Sequence, residues 1–411
     1  MYSIYHATKQ QGVPQTWRER QVVKRLDRVH TGRLEVVLPN GSLAIFQGHR
    51  PGPSASLTIR SPAMVTRLFK AGSVGFAEGY MNGEWDCPDL AGLIYLLHLN
   101  EDSLEPDFSR LQHVYTVLSA IRHRLRRNSR RGSRRNIAYH YDLGNDFYAD
   151  WLDETWTYSA ALFDHPDEDL AAAQRRKYQR LLERLDTRPG QHVLEIGCGW
   201  GGFARYAARH AGVSVTGLTL STEQLDYARR RTRDEGLADA VDFELRDYRD
   251  VHRQYDHVVS IEMYEAVGEA YWPAYFRAIH DALRPGGRAA IQAITIEHAR
   301  FAYYRANVDF IQEYIFPGGM LASPEIFADQ ARRQGLTTRE SDFYRRDYAR
   351  TLMRWDKAVV AARDTIVATR GAPFYRMWRY YLAYCAAGFT SGNIDLMQTC
   401  LERPADSVGT R

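Results

Sequence analysis

The chain has 411 residues, a net charge of only +4 and 45% hydrophobic residues, an ordinary globular composition with enough apolar surface for two or three domain cores. Its four cysteines (87, 198, 385 and 400) show no paired spacing, which excludes a disulfide scaffold and points to reduced thiols in a cytoplasmic protein. Met1–Pro14 is polar with no apolar stretch of signal-peptide type, and no apolar run reaches the roughly 18–20 residues needed to span a bilayer.

After a loose start and a charged helix within residues 1–30, Leu34–Leu38 and Leu43–Phe46 flank Pro39-Asn40-Gly41-Ser42, a hairpin signal. Leu57–Ile59 is another short strand. Ser61 and Pro62 then open a helix as cap and first residue. Gly75–Trp85 follows, and Leu90–Leu99 is helical. Residues 1–120 thus form a small α+β domain with no nucleophile, metal cluster or phosphate loop, suited to docking or presenting a substrate. Residues 121–136 are a linker in which Arg122–Arg135 holds eight arginines. Such a run is a solvated linker helix or an electrostatic foot on anionic lipid. No recognisable nucleic-acid module accompanies it, so no nucleic-acid partner is expected.

Residues 137–411 form the catalytic domain. Tyr139–Tyr148 and Thr157–Phe163 are dense in aromatics, which suit a core, an apolar tunnel or a bound cation. A helix from Leu170 leads into Val193-Leu194-Glu195-Ile196, a buried strand that stops at Gly197. The glycine-rich turn Gly197–Gly202 feeds a helix at Phe203, and Gly197 and Gly199 let backbone approach a ligand where a Cβ would collide. Glycines 197, 199 and 202 fit the dinucleotide pattern. The next strand, Val213–Leu218, however, ends in Thr219-Leu220-Ser221, without the acid a nicotinamide ribose requires. Instead Thr219 and Ser221 stand beside Gln224, where they can meet a ribose or an amino acid.

Val241–Leu245 ends in Arg246-Asp247-Tyr248, an edge and a face for adenine. Tyr255–Ile261 ends in Glu262-Met263-Tyr264-Glu265, and the turn Leu283–Gly287 precedes a fifth strand, Arg288–Ile294. Ligands of open α/β sheets sit outside the carboxyl ends of the strands, where Gly197, Thr219, Asp247 and Glu265 fall. The Glu-Ile-Gly-Cys-Gly loop and the Leu-Arg-Pro-Gly-Gly turn resemble the class I S-adenosylmethionine methyltransferases, an α/β, Rossmann-like fold. Phe301–Tyr304 and Phe310–Gly319 read as a long helical, aromatic-rich lid inserted after the fifth strand. Phe374–Phe389 supplies more apolar and aromatic lining, suited to a long hydrocarbon or to ordinary core packing.

Together Tyr139–Tyr148, Tyr158-Ser159, Glu195–Phe203, Gly217–Gln224, Met263–Gly268, Tyr314–Gly319, Asp347–Trp355 and Tyr380–Phe389 resemble the cyclopropane-fatty-acyl-phospholipid synthase family, with the mycolic acid cyclopropane synthases as cousins. The resemblance runs from about residue 55 onward. It implies S-adenosylmethionine and a bicarbonate ion as cofactors. It implies cofactor contacts from Tyr158, Ser159, Glu195, Gly197, Gly199, Gly201, Thr219, Leu220, Ser221, Gln224, Asp247 and Tyr248. It implies catalytic roles for Glu265 and Tyr348, which would orient the bicarbonate, and for Cys385, His140, Ala160 and Gln292. Two positions depart from the family: Ala160 stands where Cys commonly follows Tyr-Ser and can still supply a backbone N–H. Gln292 is nearest to the family's histidine and cannot carry its charge.

The implied reaction passes a methylene from S-adenosylmethionine to the double bond of a phospholipid acyl chain. Methyl transfer leaves a carbocation, so the site must exclude water, stabilise positive charge and remove a proton from the new methyl to close a ring. Without a well-placed base, the cation leaves by hydride shift and proton loss, giving a branched, methylene or methylated-alkene product. A binding protein that keeps the fold without catalysis is the reading from another class. The expected partners are a bilayer surface and unsaturated acyl chains, with peripheral attachment to the inner membrane face, and a homodimer.

Overall fold

A computed structural model describes residues 17–104 and 143–405. The arginine-rich linker, Tyr139–Asp142 and with it His140 lie outside the described residues.

The leading unit carries a four-stranded sheet, ordered β2-β1-β3-β4, from β1 (Thr31–Val37), β2 (Leu43–Gln47), β3 (Arg50–Ile59) and β4 (Trp85–Asp86). The expected hairpin is present as an antiparallel β1–β2 pair. The helix Ala63–Met81 begins one residue later than expected, with Pro62 rather than Ser61 at its cap position, and Ser61 Oγ accepts from Ala63 N at 3.2 Å just ahead of it. The helix runs on through the Gly75–Tyr80 stretch and is kinked at Gly72, where φ is 56°. The helix Leu90–Leu99 starts at Asp89, whose side chain accepts from Gly92 N.

The second unit is built on a seven-stranded sheet, ordered β10-β11-β9-β8-β5-β6-β7. Its strands are β5 (His192–Ile196), β6 (Ser214–Thr219), β7 (Val241–Leu245), β8 (Tyr255–Ile261), β9 (Leu283–Ile296), β10 (Thr337–Phe343) and β11 (Ile394–Glu402). The β5–β9 set is parallel, with the chain reversing direction of travel across the sheet at β5 and β8. That is the point where ligands of doubly wound sheets bind. The Leu283–Gly287 turn survives as an irregularity inside the long β9, where the β8 register jumps from Leu283 to Arg288.

Three features differ from the sequence reading. β10 and β11 form an antiparallel extension that the residues do not announce. β10 is an exposed polar edge strand, and β11 is buried but broken by Gln398 and Thr399, so neither shows a clean alternation. The lid is two short pieces rather than one long helix: His298–Ala306, then a single π-turn, Ile311–Ile315. The leading unit also has no separate core, because one hydrophobic cluster joins Leu34, Trp85 and Leu96 to Trp355, Trp378 and Phe389.

The helix Ala372–Ser391 makes that junction. The Arg376 guanidinium lies 3.9 Å from the Tyr80 ring centre and donates to the backbone oxygens of Tyr80 and Trp85. Tyr380 packs its ring on Tyr80 and Trp85, and Tyr384 meets His98 edge-on at 5.5 Å. The lid is tied to the same unit by Tyr314, whose hydroxyl donates to Glu78 at 2.7 Å.

Candidate functional site: two cavities that meet at Glu262

A cavity of about 150 Å³ opens at the carboxyl ends of β5, β6 and β7. Gly197, Gly199 and Glu195 line it from the first strand and its loop, Thr219, Leu220 and Gln224 from the second, and Asp247 and Tyr248 from the third. Tyr158 and Ser159 close it from the preceding segment. The loop is pinned where Gly197 N and Cys198 N both donate to Leu218 O, at 3.0 and 2.8 Å. At Gly199, φ is 52° and nothing lies within 4 Å of where a Cβ would stand, which leaves its face of the cavity open to a ligand.

Some expected ligand contacts have other work. Gly201 lies behind the cavity, where a Cβ would strike the Phe243 ring at 2.5 Å, so its lack of a side chain serves helix-to-strand packing. Ser221 caps the helix Thr222–Asp234 by accepting from Gln224 N at 3.3 Å and does not line the cavity. Thr219 donates to Gln224 Oε1 at 2.8 Å, which fixes that amide at the cavity wall. The Asp247 carboxylate receives Arg249 at 2.6 Å, so its oxygens are already shared with a guanidinium. Glu195 is buried with Oε2 unbonded, and burial holds its carboxyl well above the usual range against the pull of Arg205 and Lys177.

A second cavity of about 290 Å³ lies under the lid. Tyr304, Ile311 and Phe316 form its lid side, Tyr348 and Leu352 one wall, and Tyr381, Cys385 and Phe389 another. Ser73, His98 and Glu101 of the leading unit complete it, and Arg300 of the lid helix pairs with Glu101 across the two units. Its walls are mostly apolar, which suits a hydrocarbon. His98 is held neutral by burial, its pKa lowered to about 4. The two cavities share Tyr158, Glu262 and Ala266. Around Tyr158 stand Tyr148, Trp151, Trp355 and Trp378, with ring centres 5.3–6.4 Å from its own. These four rings line neither cavity and pack behind Tyr158, fixing it in place, while Tyr158, Tyr348 and Tyr381 line the acyl cavity, where aromatic rings stabilise a cation.

Glu262, the residue after β8, is where the geometry departs from the sequence reading. Its φ is 51°, a left-handed conformation rare for a residue with a side chain. Its carboxylate accepts Ala160 N at 2.8 Å, Gln292 Nε2 at 2.7 Å and the Tyr348 hydroxyl at 2.5 Å. Gln398 donates to Gln292 Oε1 at 2.8 Å, which turns the Gln292 NH₂ toward Glu262. Burial raises the Glu262 carboxyl, while Tyr348, Lys177, Ala160 and Gln292 oppose the rise. Tyr348 itself is pushed well up by burial and by the Glu262 charge, so it remains a donor.

Glu265, expected to hold an anion together with Tyr348, does not meet that tyrosine. It sits in the short turn Tyr264–Ala266, and its Oε1 accepts Ile294 N. Its Oε2 is buried without a bond in the wall of the lid cavity. Burial, then the nearby Glu262 charge, pushes its carboxyl up to about 8, so near neutral pH it is mostly protonated. Cys385 lines the same cavity with a thiol that burial pushes far up, a neutral and unreactive form. Ala160 and Gln292 stand behind Glu262, and His140 is outside the described residues. The backbone and side-chain donors that the resemblance implies around a bicarbonate are thus committed to a protein carboxylate. A second buried anion beside it would be repelled.

Sequence reasoning missed Glu262, Lys177, Gln174 and Gln398. The available signal for Glu262 was its place as the first residue past a parallel strand, the same place that singles out Gly197.

Comparisons with known proteins identify the family. Residues 128–399 match the family described as CMAS, mycolic acid cyclopropane synthetase. The chain is 44% identical over 359 residues to the tuberculostearic acid methyltransferase UfaA1 of Mycobacterium tuberculosis (strain ATCC 25618 / H37Rv), covering 85% of this chain and 83% of that one. It is 34% identical to the cyclopropane-fatty-acyl-phospholipid synthase of Escherichia coli (strain K12), covering 86% and 89%. Among solved structures, the mycolic acid cyclopropane synthase CmaA1 complexed with SAH and CTAB superposes with a TM-score of 0.61 at 31% identity, over 66% of this chain and 98% of that one. The first cavity therefore fits S-adenosylmethionine, and the chain belongs to the mycolic acid cyclopropane synthetase family of S-adenosylmethionine-dependent methyltransferases that act on lipids.

Proposed function

We propose that this enzyme methylates the double bond of an unsaturated acyl chain of a membrane lipid and releases an open-chain, methylene-branched product rather than a cyclopropane. The observation that carries this reading is the Glu262 carboxylate, held by Ala160, Gln292 and Tyr348 where the two cavities join. S-adenosylmethionine supplies an electrophilic methyl, which the alkene electron pair captures as the carbon–sulfur bond breaks, leaving positive charge on the acyl chain. Tyr158, Tyr348 and Tyr381, which line the acyl cavity, stabilise that charge, and its apolar walls exclude water. Glu262 then accepts a proton from the transferred methyl.

Burial leaves the Glu262 carboxyl raised on balance, and three hydrogen bonds temper that rise and fix the direction of its carboxylate. A base held in place this way gives the hydride on the methylated carbon time to shift to the neighbouring cation. Glu262 then takes the methyl proton from the more stable tertiary cation, and the C–H electron pair becomes the C=CH₂ double bond of a methylene branch. Ring closure would need that proton removed before the shift. The similarity to a protein named as a methyltransferase supports the open-chain reading, and the similarity to a fatty-acyl-phospholipid enzyme supports a membrane lipid as substrate. Ser73, His98 and Glu101 in the cavity wall support a substrate-presenting role for the leading unit.

The test is NMR of lipids made from S-adenosylmethionine and dioleoyl-phosphatidylglycerol vesicles. Olefinic =CH₂ protons are expected. High-field ring methylene protons would overturn the open-chain reading, since the two products have the same mass.

A further inference from the structure

The helix Leu170–Leu185 buries two polar side chains completely, Gln174 and Lys177. They are three residues apart and share a face. Both reach Ser159: Gln174 Nε2 donates to its carbonyl oxygen at 2.8 Å, and Lys177 Nζ to its hydroxyl at 2.6 Å. A buried lysine costs stability unless its charge is answered, and a leucine would pack this helix more simply. The answer lies on three other elements. Lys177 faces Glu262 after β8, Asp153 before the Tyr158 segment and Glu195 on β5. Burial lowers its pKa to about 7 while those three acids raise it.

The residue after Ser159 is Ala160, whose N–H donates to Glu262. Gln174 and Lys177 therefore brace, from behind, the turn that aims one of the three donors at the carboxylate. We infer that Lys177 is a positioning residue for methyl transfer: through Ser159 it sets the Ala160 N–H on Glu262, and it supplies the buried positive charge that Glu262 faces. This rests on the reading of Glu262 as the proton acceptor. The other groups near Glu262 are Tyr348, Glu265, Tyr381 and Cys385; the tyrosines and the cysteine are held protonated by burial, and Glu265 is mostly neutral near pH 7. Lys177 is then the one cation in that set.

The experiment is the pH profile of kcat at saturating S-adenosylmethionine with dioleoyl-phosphatidylglycerol vesicles, for the full chain and for Lys177→Met, Ser159→Ala and Glu262→Gln. S-adenosylhomocysteine affinity and thermal melting report folding. Lys177→Met should lower kcat and move the rising limb upward by about one pH unit or more, because Glu262 loses its counter-charge. Ser159→Ala should lower kcat with the limb in place, since the charge remains. A folded Lys177→Met whose limb stays at the wild-type position overturns the inference. Should Lys177→Met fail to fold, a lowered kcat in Ser159→Ala supports the brace, and a wild-type kcat there overturns it. A fully active Glu262→Gln would instead sink the proton-acceptor reading itself, an outcome separate from the other two.

Discussion

The Tyr348 hydroxyl donates to the Glu262 carboxylate at 2.5 Å, joining the helix Arg345–Ala361 to the end of the fourth parallel strand. The same carboxylate collects the Ala160 N–H and the Gln292 amide. Four chain segments that are far apart in sequence thus meet on one side chain, at the boundary between the cofactor and acyl cavities.

Glu262 and Glu265 should therefore behave oppositely. Glu262→Gln should lower turnover by roughly 10²–10⁴-fold, the usual worth of a positioned base, with S-adenosylhomocysteine affinity nearly intact. Glu265→Gln mimics the protonated acid already present near neutral pH and should stay active. Initial rates of label transfer from methyl-labelled S-adenosylmethionine check both, and the reverse order of sensitivity would return the base to Glu265.

Glu265 should also leave a mark on stability. Its folded carboxyl is pushed up to about 8 from an ordinary value of 4.5. The folded state thus keeps a proton that the unfolded chain gives up once pH passes 4.5. This contribution is complete below that pH, declines as pH rises toward about 8 and is then exhausted. Melting temperatures of wild type and Glu265→Gln, measured across that window, should diverge in favour of the variant as pH rises. Parallel curves would contradict the assignment.

The glycines of the loop should separate into two classes. Gly201→Ala forces a methyl toward the Phe243 ring at a residue with φ of 77°, and should cost about 2–4 kcal/mol from strain and overpacking together. At Gly199 an added Cβ meets no protein atom within 4 Å, so Gly199→Val puts its side chain on the open face of the cofactor cavity. It should abolish S-adenosylhomocysteine binding while costing only about 1–2 kcal/mol for the left-handed backbone. Calorimetry and urea melts on both variants give the comparison, and equal cofactor affinities would refute it.

Arg376 should couple the leading unit to the catalytic one. Arg376→Ala removes donors from the backbone oxygens of Tyr80 and Trp85 and a cation from the Tyr80 ring. The expected loss is about 2–4 kcal/mol, with lipid turnover falling and S-adenosylhomocysteine affinity unchanged. An unshifted urea midpoint would show that the junction is held without it.

Much of this protein is written locally. The parallel strands β5, β6 and β8 are short runs buried on both faces and ended by glycine or polar residues, while the edge strand β7 alternates. The glycine loop and the missing ribose acid set a nicotinamide cofactor aside, and the family resemblance that these and the aromatic motifs carry implied S-adenosylmethionine and a lipid substrate. β10 and β11 were not legible, because one is a polar edge and the other buries Gln398, whose purpose appears only when it orients Gln292. Which of two neighbouring glutamates holds the site was also beyond the sequence. Glu262 and Glu265 are three residues apart, and only the left-handed backbone at Glu262 swings its carboxylate to Tyr348, while the following turn carries Glu265 to Ile294 N. Lys177 reads on its helix as one more surface charge. Its burial against Ser159, Glu262, Asp153 and Glu195 is decided by which face of that helix the sheet covers, a property of packing rather than of residue order.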